Sequence, residues 1–204
     1  MNPRPSRPVI LAASVAALVA MFSSVSAQSR LETAVFAGGC FWTMEHSFED
    51  VPGVVRAVSG YAGGAQPNPS YEQVSSETTG HLEAVSVTYD PGRISYAALV
   101  ERYWRMIDPT DDGGMACDRG SSYHSAIFVA SSEQRAIVAQ SEDRLRAGPL
   151  RGHPIATYIR PAARFWPAEA YHQHFATRDP GGRYSAYRAG CGRDAVLRAL
   201  WAGR

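Results

Sequence analysis

The chain has no lysine: all 20 basic residues among its 204 are arginine. Schiff-base chemistry and lysine general bases are thereby excluded. Neither charge sign is in surplus, with 20 basic against 19 acidic residues. No basic face points to nucleic acid. Cysteine is scarce too, limited to Cys40, Cys117 and Cys191. Three are too few for a small scaffold held together by disulfides. No CxxC or HExxH pair occurs, so spacing supports no metal site, and no cofactor is expected. The six histidines (His46, His81, His124, His153, His172 and His174) are read as structural hydrogen-bonding residues. Repeats and linkers are also absent, which leaves one domain with a core of its own.

The N-terminus reads as a leader. Arg4 and Arg7 precede an apolar run from Val9 to Phe22, and Val25-Ser26-Ala27 is a small-residue cleavage site before Gln28. That pattern is a secretory signal peptide over residues 1–27, with the folded domain over 28–204 and a periplasmic or secreted location. An uncleaved anchor is the alternative, though the apolar run is short for a membrane span. In an exported chain, an odd cysteine count leaves at least one thiol outside a static disulfide.

Alternation and turn residues predict strands at 33–37, 54–58, 83–89, 125–130 and 155–160. Helices are predicted at 41–50, from the Ser95 cap over 96–107, at 132–147, 168–175 and 195–200. The tail from 177 to 194 reads as loop. The whole is an α+β domain, a mixed sheet flanked by helices, with long loops that carry a site.

The candidate nucleophile is Cys40 in Gly38-Gly39-Cys40-Phe41-Trp42. An apolar strand runs into the glycines and a helix runs out, which places the thiol in the first helical turn. Unpaired N–H groups and the positive end of the helix dipole favour a thiolate there. Burial as an inert thiol is the competing reading. Glu83, at the start of a strand between apolar neighbours, is the candidate acid. Desolvation would keep its carboxyl protonated and able to donate near neutral pH; a solvated edge-strand carboxylate is the alternative. Tyr71 and Tyr123 lie in glycine-rich loops and, taken alone, read as surface packing.

Together these segments resemble the A-type peptide methionine sulfoxide reductases. The resemblance rests on Gly39-Cys40-Phe41-Trp42, Pro52-Gly53-Val54, Gly60-Tyr61-Ala62-Gly63-Gly64, Asn68-Pro69-Ser70-Tyr71 and Thr79-Gly80-His81 with Glu83. It continues through Tyr89-Asp90-Pro91, Asp108-Pro109-Thr110, Asp118-Arg119-Gly120 with Tyr123, Ser125-Ala126-Ile127, and Ala168-Glu169 with His172-Gln173. It implies a ferredoxin-like core. It also implies Cys40 as nucleophile, Glu83 as proton donor to the sulfoxide oxygen, and Tyr71 and Tyr123 as hydrogen-bond donors to it. Phe41 and Trp42 would cage the substrate methyl group, and Asp118 would order the site. Expected partners are oxidised proteins or peptides bearing methionine sulfoxide and a thioredoxin-like reductant, the protein acting as a monomer on the S epimer.

The family often keeps a resolving cysteine where Cys191 stands, in Ala189-Gly190-Cys191-Gly192, so Cys191 is expected to condense with a sulfenic acid on Cys40. Cys117 is the rival, beside Asp118 in a loop that is usually rich in Asn and Gln. Arg193-Asp194 also departs from the Pro-Lys pair common at that point. Two other classes fit Cys40 alone: a cysteine hydrolase with His81 or His172 as base, and a binding module with an inert thiol.

Overall fold

The computed structural model describes Met1 and residues 30–202, so the rest of the expected leader, with its expected cleavage site, lies outside the described residues. Eight strands and seven α-helices are labelled here in chain order. The first five are β1 (Glu32–Ala37), α1 (Phe41–Glu49), β2 (Val54–Ala62), α2 (Tyr71–Ser75) and β3 (Leu82–Tyr89). Then come α3 (Tyr96–Met106), β4 (Gly114–Met115), β5 (Asp118–Arg119), β6 (Ala126–Val129) and α4 (Ser132–Ala147). The last are β7 (Tyr158–Pro161), β8 (Phe165–Pro167), α5 (Phe175–Arg178), α6 (Arg183–Cys191) and α7 (Arg193–Trp201).

Six strands form one mixed sheet in the order β7-β6-β1-β3-β2-β8. All neighbours are antiparallel except β6 and β7. The expected α+β class is the one observed. β3 is flanked on both edges, pairing Val85 with Phe36 of β1 and with Ser59 of β2. A strand covered on both edges and faces excludes water, which is why a polar residue on it is exceptional.

The main core packs α1, α3 and α4 against one face. Phe36 stacks on Phe48 and Tyr103 with ring centroids 5.0 and 5.1 Å apart. Trp104 is fully buried and donates to Ser141 Oγ at 2.8 Å, tying α3 to α4. Opposite lies a cluster of small residues, Ala37, Ala62, Ala84 and Ala126, with Leu82 and Phe128. The Ser95 cap is as expected, accepting the Ala98 N–H at 3.2 Å.

Two expectations differ. Residues 168–169 are irregular, 170–174 form turns and only Phe175–Arg178 is helical in this stretch. The tail read as loop is instead helix α6, followed after Gly192 by α7. Tyr184, Tyr187 and Cys191 recur at i, i+3 and i+7, a helical face hidden among glycines. Gly181, Gly182 and Gly192 all take positive φ and so punctuate helices rather than dissolve them.

Candidate active site

The site grows from the end of β1. Gly38 and Gly39 carry the chain from strand to helix in a space no side chain could share. A Cβ on Gly38 would fall 2.6 Å from Ile107, and one on Gly39 (φ +78) 2.7 Å from Met115. Cys40 follows as the N-cap of α1 rather than a residue of its first turn. Its thiol is free, and the residue is only 7% exposed.

That one-residue displacement matters. The first N–H groups of α1 do not wait for a thiolate, because two carboxylates take them. Glu83 Oε2 accepts the Phe41 N–H at 2.9 Å, and Asp118 Oδ2 accepts the Cys40 N–H at 3.4 Å. Burial, then the charges of Glu83 and Asp118, push the Cys40 thiol up; contacts with the Trp42 N–H and the Tyr187 hydroxyl act the other way. The expected thiolate-favouring helix end is therefore overridden by desolvation in the resting site.

Glu83 lies on β3, paired across from Tyr61 on β2, and is 3% exposed. The edge-strand alternative falls with the topology. Desolvation, reinforced by Asp118 and Glu77, raises its carboxyl to about 8 against the opposing Phe41 hydrogen bond. At neutral pH this carboxyl is mainly protonated, as a proton donor requires.

Both expected tyrosines come to the same end of the sheet. Tyr71 begins α2, and its N–H donates to Glu169 Oε1 at 2.9 Å while the Tyr61 hydroxyl donates to Glu169 Oε2 at 2.9 Å. Tyr123 closes a short turn held by Glu77, whose carboxylate accepts from Ser121 Oγ and from Ser122 N and Oγ. The Tyr123 carbonyl accepts the Gly39 N–H at 3.1 Å. Both phenols are raised first by burial and then by Glu83, with Cys40 contributing to each, so all four groups share one electrostatic neighbourhood.

Phe41 is fully buried, while Trp42 is part-exposed and stacks on Phe175 at 3.9 Å. His172 fills the space between them, 4.9 Å from the Phe41 ring and 4.5 Å from Tyr71. Its Nδ1 accepts the Trp42 indole N–H at 3.0 Å. Burial lowers its pKa, which keeps the ring neutral. His81 is held between the Gly64 N–H and the Gln66 carbonyl, whereas the buried Nε2 of His172 has no hydrogen-bond partner among the described residues and makes no hydrogen bond to Cys40. Neither imidazole offers a nitrogen to Cys40, so the hydrolase alternative lacks its base.

The loop and tail bring the other two cysteines to Asp118. Cys117 and Cys191 are joined to each other by a disulfide rather than either being joined to Cys40. Cys191 Sγ lies 3.9 Å from Asp118 Oδ2, the same oxygen that accepts from the Cys40 N–H and, at 2.7 Å, from the Tyr187 hydroxyl. Cys117 is exposed and Cys191 is buried. Tyr187 and Arg193 are further neighbours of these groups that reading the sequence did not single out, and Glu169 entered it only as part of the resemblance, with no role. The helical spacing of Tyr184, Tyr187 and Cys191 was the available signal; for Arg193 there was none beyond the departure already noted.

A family model described as peptide methionine sulfoxide reductase matches residues 32–204. Peptide methionine sulfoxide reductase MsrA 2 of Caulobacter vibrioides is 49% identical over 201 residues, covering 97% of this chain and 99% of that protein. MsrA of Bacillus subtilis is 47% identical over 170 residues, covering 83% of this chain and 96% of its own length. Methionine sulfoxide reductase A of Corynebacterium diphtheriae superposes with a TM-score of 0.65 at 33% identity, covering 74% of this chain and 76% of its own. Mxr1 of Saccharomyces cerevisiae in reduced form gives 0.68 at 30%, covering 74% of this chain and 87% of its own. Matching from β1 to the end of the chain, with Cys40 and Glu83 brought to one helix start, this chain belongs to the A-type peptide methionine sulfoxide reductases, enzymes that reduce methionine sulfoxide.

Proposed function

We propose that this enzyme reduces the S epimer of methionine sulfoxide, chiefly in oxidised exported proteins, with Cys40 as nucleophile and Glu83 as acid. One observation carries the reading: a carboxyl held near pKa 8 beside the only free thiol among the described residues. Sulfoxide sulfur is a poor electrophile until its oxygen accepts a proton. Glu83 supplies that proton, and Tyr71 and Tyr123 donate hydrogen bonds to the same oxygen. The Cys40 thiolate attacks the protonated sulfoxide at sulfur and forms an S–S bond. The hydroxyl then passes from the methionine sulfur to the Cys40 sulfur as that S–S bond and the S–O bond break, so methionine leaves and Cys40 is a sulfenic acid. Trp42, over buried Phe41, receives the methyl group and excludes water.

Regeneration follows from the second cysteine pair. The Cys191 thiolate attacks the Cys40 sulfenic sulfur and water leaves. The Cys117 thiolate then attacks the Cys191 sulfur, which frees Cys40 and gives the Cys117–Cys191 disulfide. Its exposed end at Cys117 suits attack by a thioredoxin-like dithiol.

Turnover of separated S and R sulfoxides with dithiothreitol tests the substrate. Only the S epimer is expected to react, because nucleophile, methyl cage and oxygen donors sit in fixed order around a chiral sulfur. Equal turnover of both would refute this. Terminal sequencing of the mature protein tests export: the expected first residue is Gln28, and a retained Met1 in the cytosolic fraction would sink the idea.

A further inference from the structure

Arg193 opens α7, two residues after Cys191, yet its side chain does not face solvent. It is fully buried and runs under the strand-to-helix turn that presents Cys40. Its Nη2 donates to the carbonyls of Gly38 at 2.9 Å and Met106 at 2.6 Å and lies 3.1 Å from Met44 Sδ. Nε and Nη1 have no hydrogen-bond partner among the described residues. Nη1 lies 2.8 Å from the point where a Cβ on Gly39 would project, in the residue just before the nucleophile.

This placement is costly. A buried guanidinium is normally paired with a carboxylate. The neighbouring acid Asp194 is committed instead to Arg188. Burial pulls the Arg193 guanidinium down, but arginine stays protonated in proteins. The groups that act on it are Tyr187, Arg188, Cys40 and Asp118. Those acting on Cys40 are Glu83, Asp118 and Tyr187, while Tyr71 and Tyr123 feel its charge in turn. In that set Asp118, and Glu83 wherever it is ionised, oppose a thiolate, the tyrosines are neutral, and Arg193 is the cation directly under the turn.

We propose that Arg193 is the counter-cation for the Cys40 thiolate, a positioning residue that lets a buried thiol between two carboxyl groups ionise when substrate arrives. The unpartnered Nη1, buried beside Gly39 in the residue before the nucleophile, then gains an opposite charge close by only when Cys40 loses its proton. The chain segment that carries the resolving thiol Cys191 delivers this charge too, so docking of the tail and readiness of the nucleophile are one event. The inference rests on Cys40 being the nucleophile.

The test uses the enzyme with its Cys117–Cys191 bond intact, which leaves Cys40 as the only free thiol. Iodoacetamide alkylation is followed against pH. Arg193→Gln keeps an amide donor for the Gly38 carbonyl but removes the charge, and its midpoint should rise by about one unit. Arg193→Lys should restore most of the shift. A purely structural role predicts the opposite sign, since loosening would hydrate the thiol and lower the midpoint. Coincident or lowered profiles would overturn the proposal. If Arg193→Gln does not fold, Cys40→Asp and Cys40→Asn decide the matter with Arg193 in place. The introduced carboxylate should melt no lower than the amide at pH 7 and lose ground as pH falls below about 4. A carboxylate variant that is less stable at pH 7 and recovers on acidification would also overturn it. Failure of the nucleophile assignment would show separately, as turnover surviving Cys40→Ser.

Discussion

The two halves of the site are built on different principles. Cys40 and Glu83 come from β1, α1 and β3, elements locked into the main sheet and core, and both are nearly water-free. Cys117, Asp118, Tyr187 and Cys191 come from a loop hairpin and a tail helix that touch the sheet end from outside. The first half holds a proton and a thiol at fixed distance from a small substrate. In the proposed cycle the second must move, because the Cys191 sulfur bonds first to Cys40 and then to Cys117, which a rigid frame does not allow. Rigid scaffold for bond-making at the sulfoxide and peripheral segments for recycling is the division that the energetics demand.

Cys40→Ser breaks the comparison most directly. A hydroxyl cannot supply the thiolate, so turnover with dithiothreitol should vanish while the melting temperature stays close to that of the parent. Rates near wild type would move the chemistry into the peripheral half.

Glu83→Gln comes next and separates acid chemistry from architecture. The amide oxygen can still accept the Phe41 N–H. The rate at pH 7 should drop by about 10²–10⁴-fold, the loss shrinking at lower pH where solvent supplies the proton. Stability should move the other way. The carboxyl holds its proton up to about 8 in the folded state, against about 4.3 in an unfolded chain. Its contribution is therefore complete below the unfolded value and is lost as pH rises through about 8. Calorimetry should find the variant near wild type at pH 4 and on the order of 10 °C more stable at pH 9. An unchanged rate across pH would pass the acid role to Tyr71 and Tyr123.

The rigid half was the legible half. Gly38-Gly39 between an apolar run and a helical face specifies a strand-turn-helix, because local sterics and periodicity leave little else. Glu83 stood out because an acid amid apolar strand residues must be paired or protonated, although only the topology, with β3 flanked on both edges, decided which. The peripheral half was poorly legible. Its glycines punctuate helices as readily as they loosen loops, so α6 passed for a loop although Tyr184, Tyr187 and Cys191 share a face. The sign of the shift on Cys40 was also out of reach. Helix-end electrostatics are local, whereas Asp118 arrives from 78 residues away, and no local pattern announces a distant carboxylate. For the same reason Arg193 stood out only as a departure from the family's Pro-Lys pair, with no role attached.

The smallest effect on the first chemical event, and the sharpest test of the division, comes from the two recycling cysteines. One turnover needs only Cys40, Glu83 and the tyrosines. Cys191→Ser should thus release about one methionine per enzyme at a normal rate. With a thioredoxin-type donor it should then stall, holding a sulfenic acid on Cys40, and dithiothreitol should rescue it. Cys117→Ser should reach a later block, a Cys40–Cys191 disulfide that mass spectrometry can map after sulfoxide treatment without reductant. That bond is shielded, since Cys40 and Cys191 are both buried where Cys117 is exposed. A thioredoxin-type donor should therefore reduce it more slowly than it reduces the parent's Cys117–Cys191 bond. The order of the blocks carries the argument. A Cys40–Cys117 link in the wild-type enzyme would reverse the two thiols. A persistent sulfenic acid with Cys191 still free would show that the tail does not serve the core, and the two halves of the site would then be neighbours without a shared cycle.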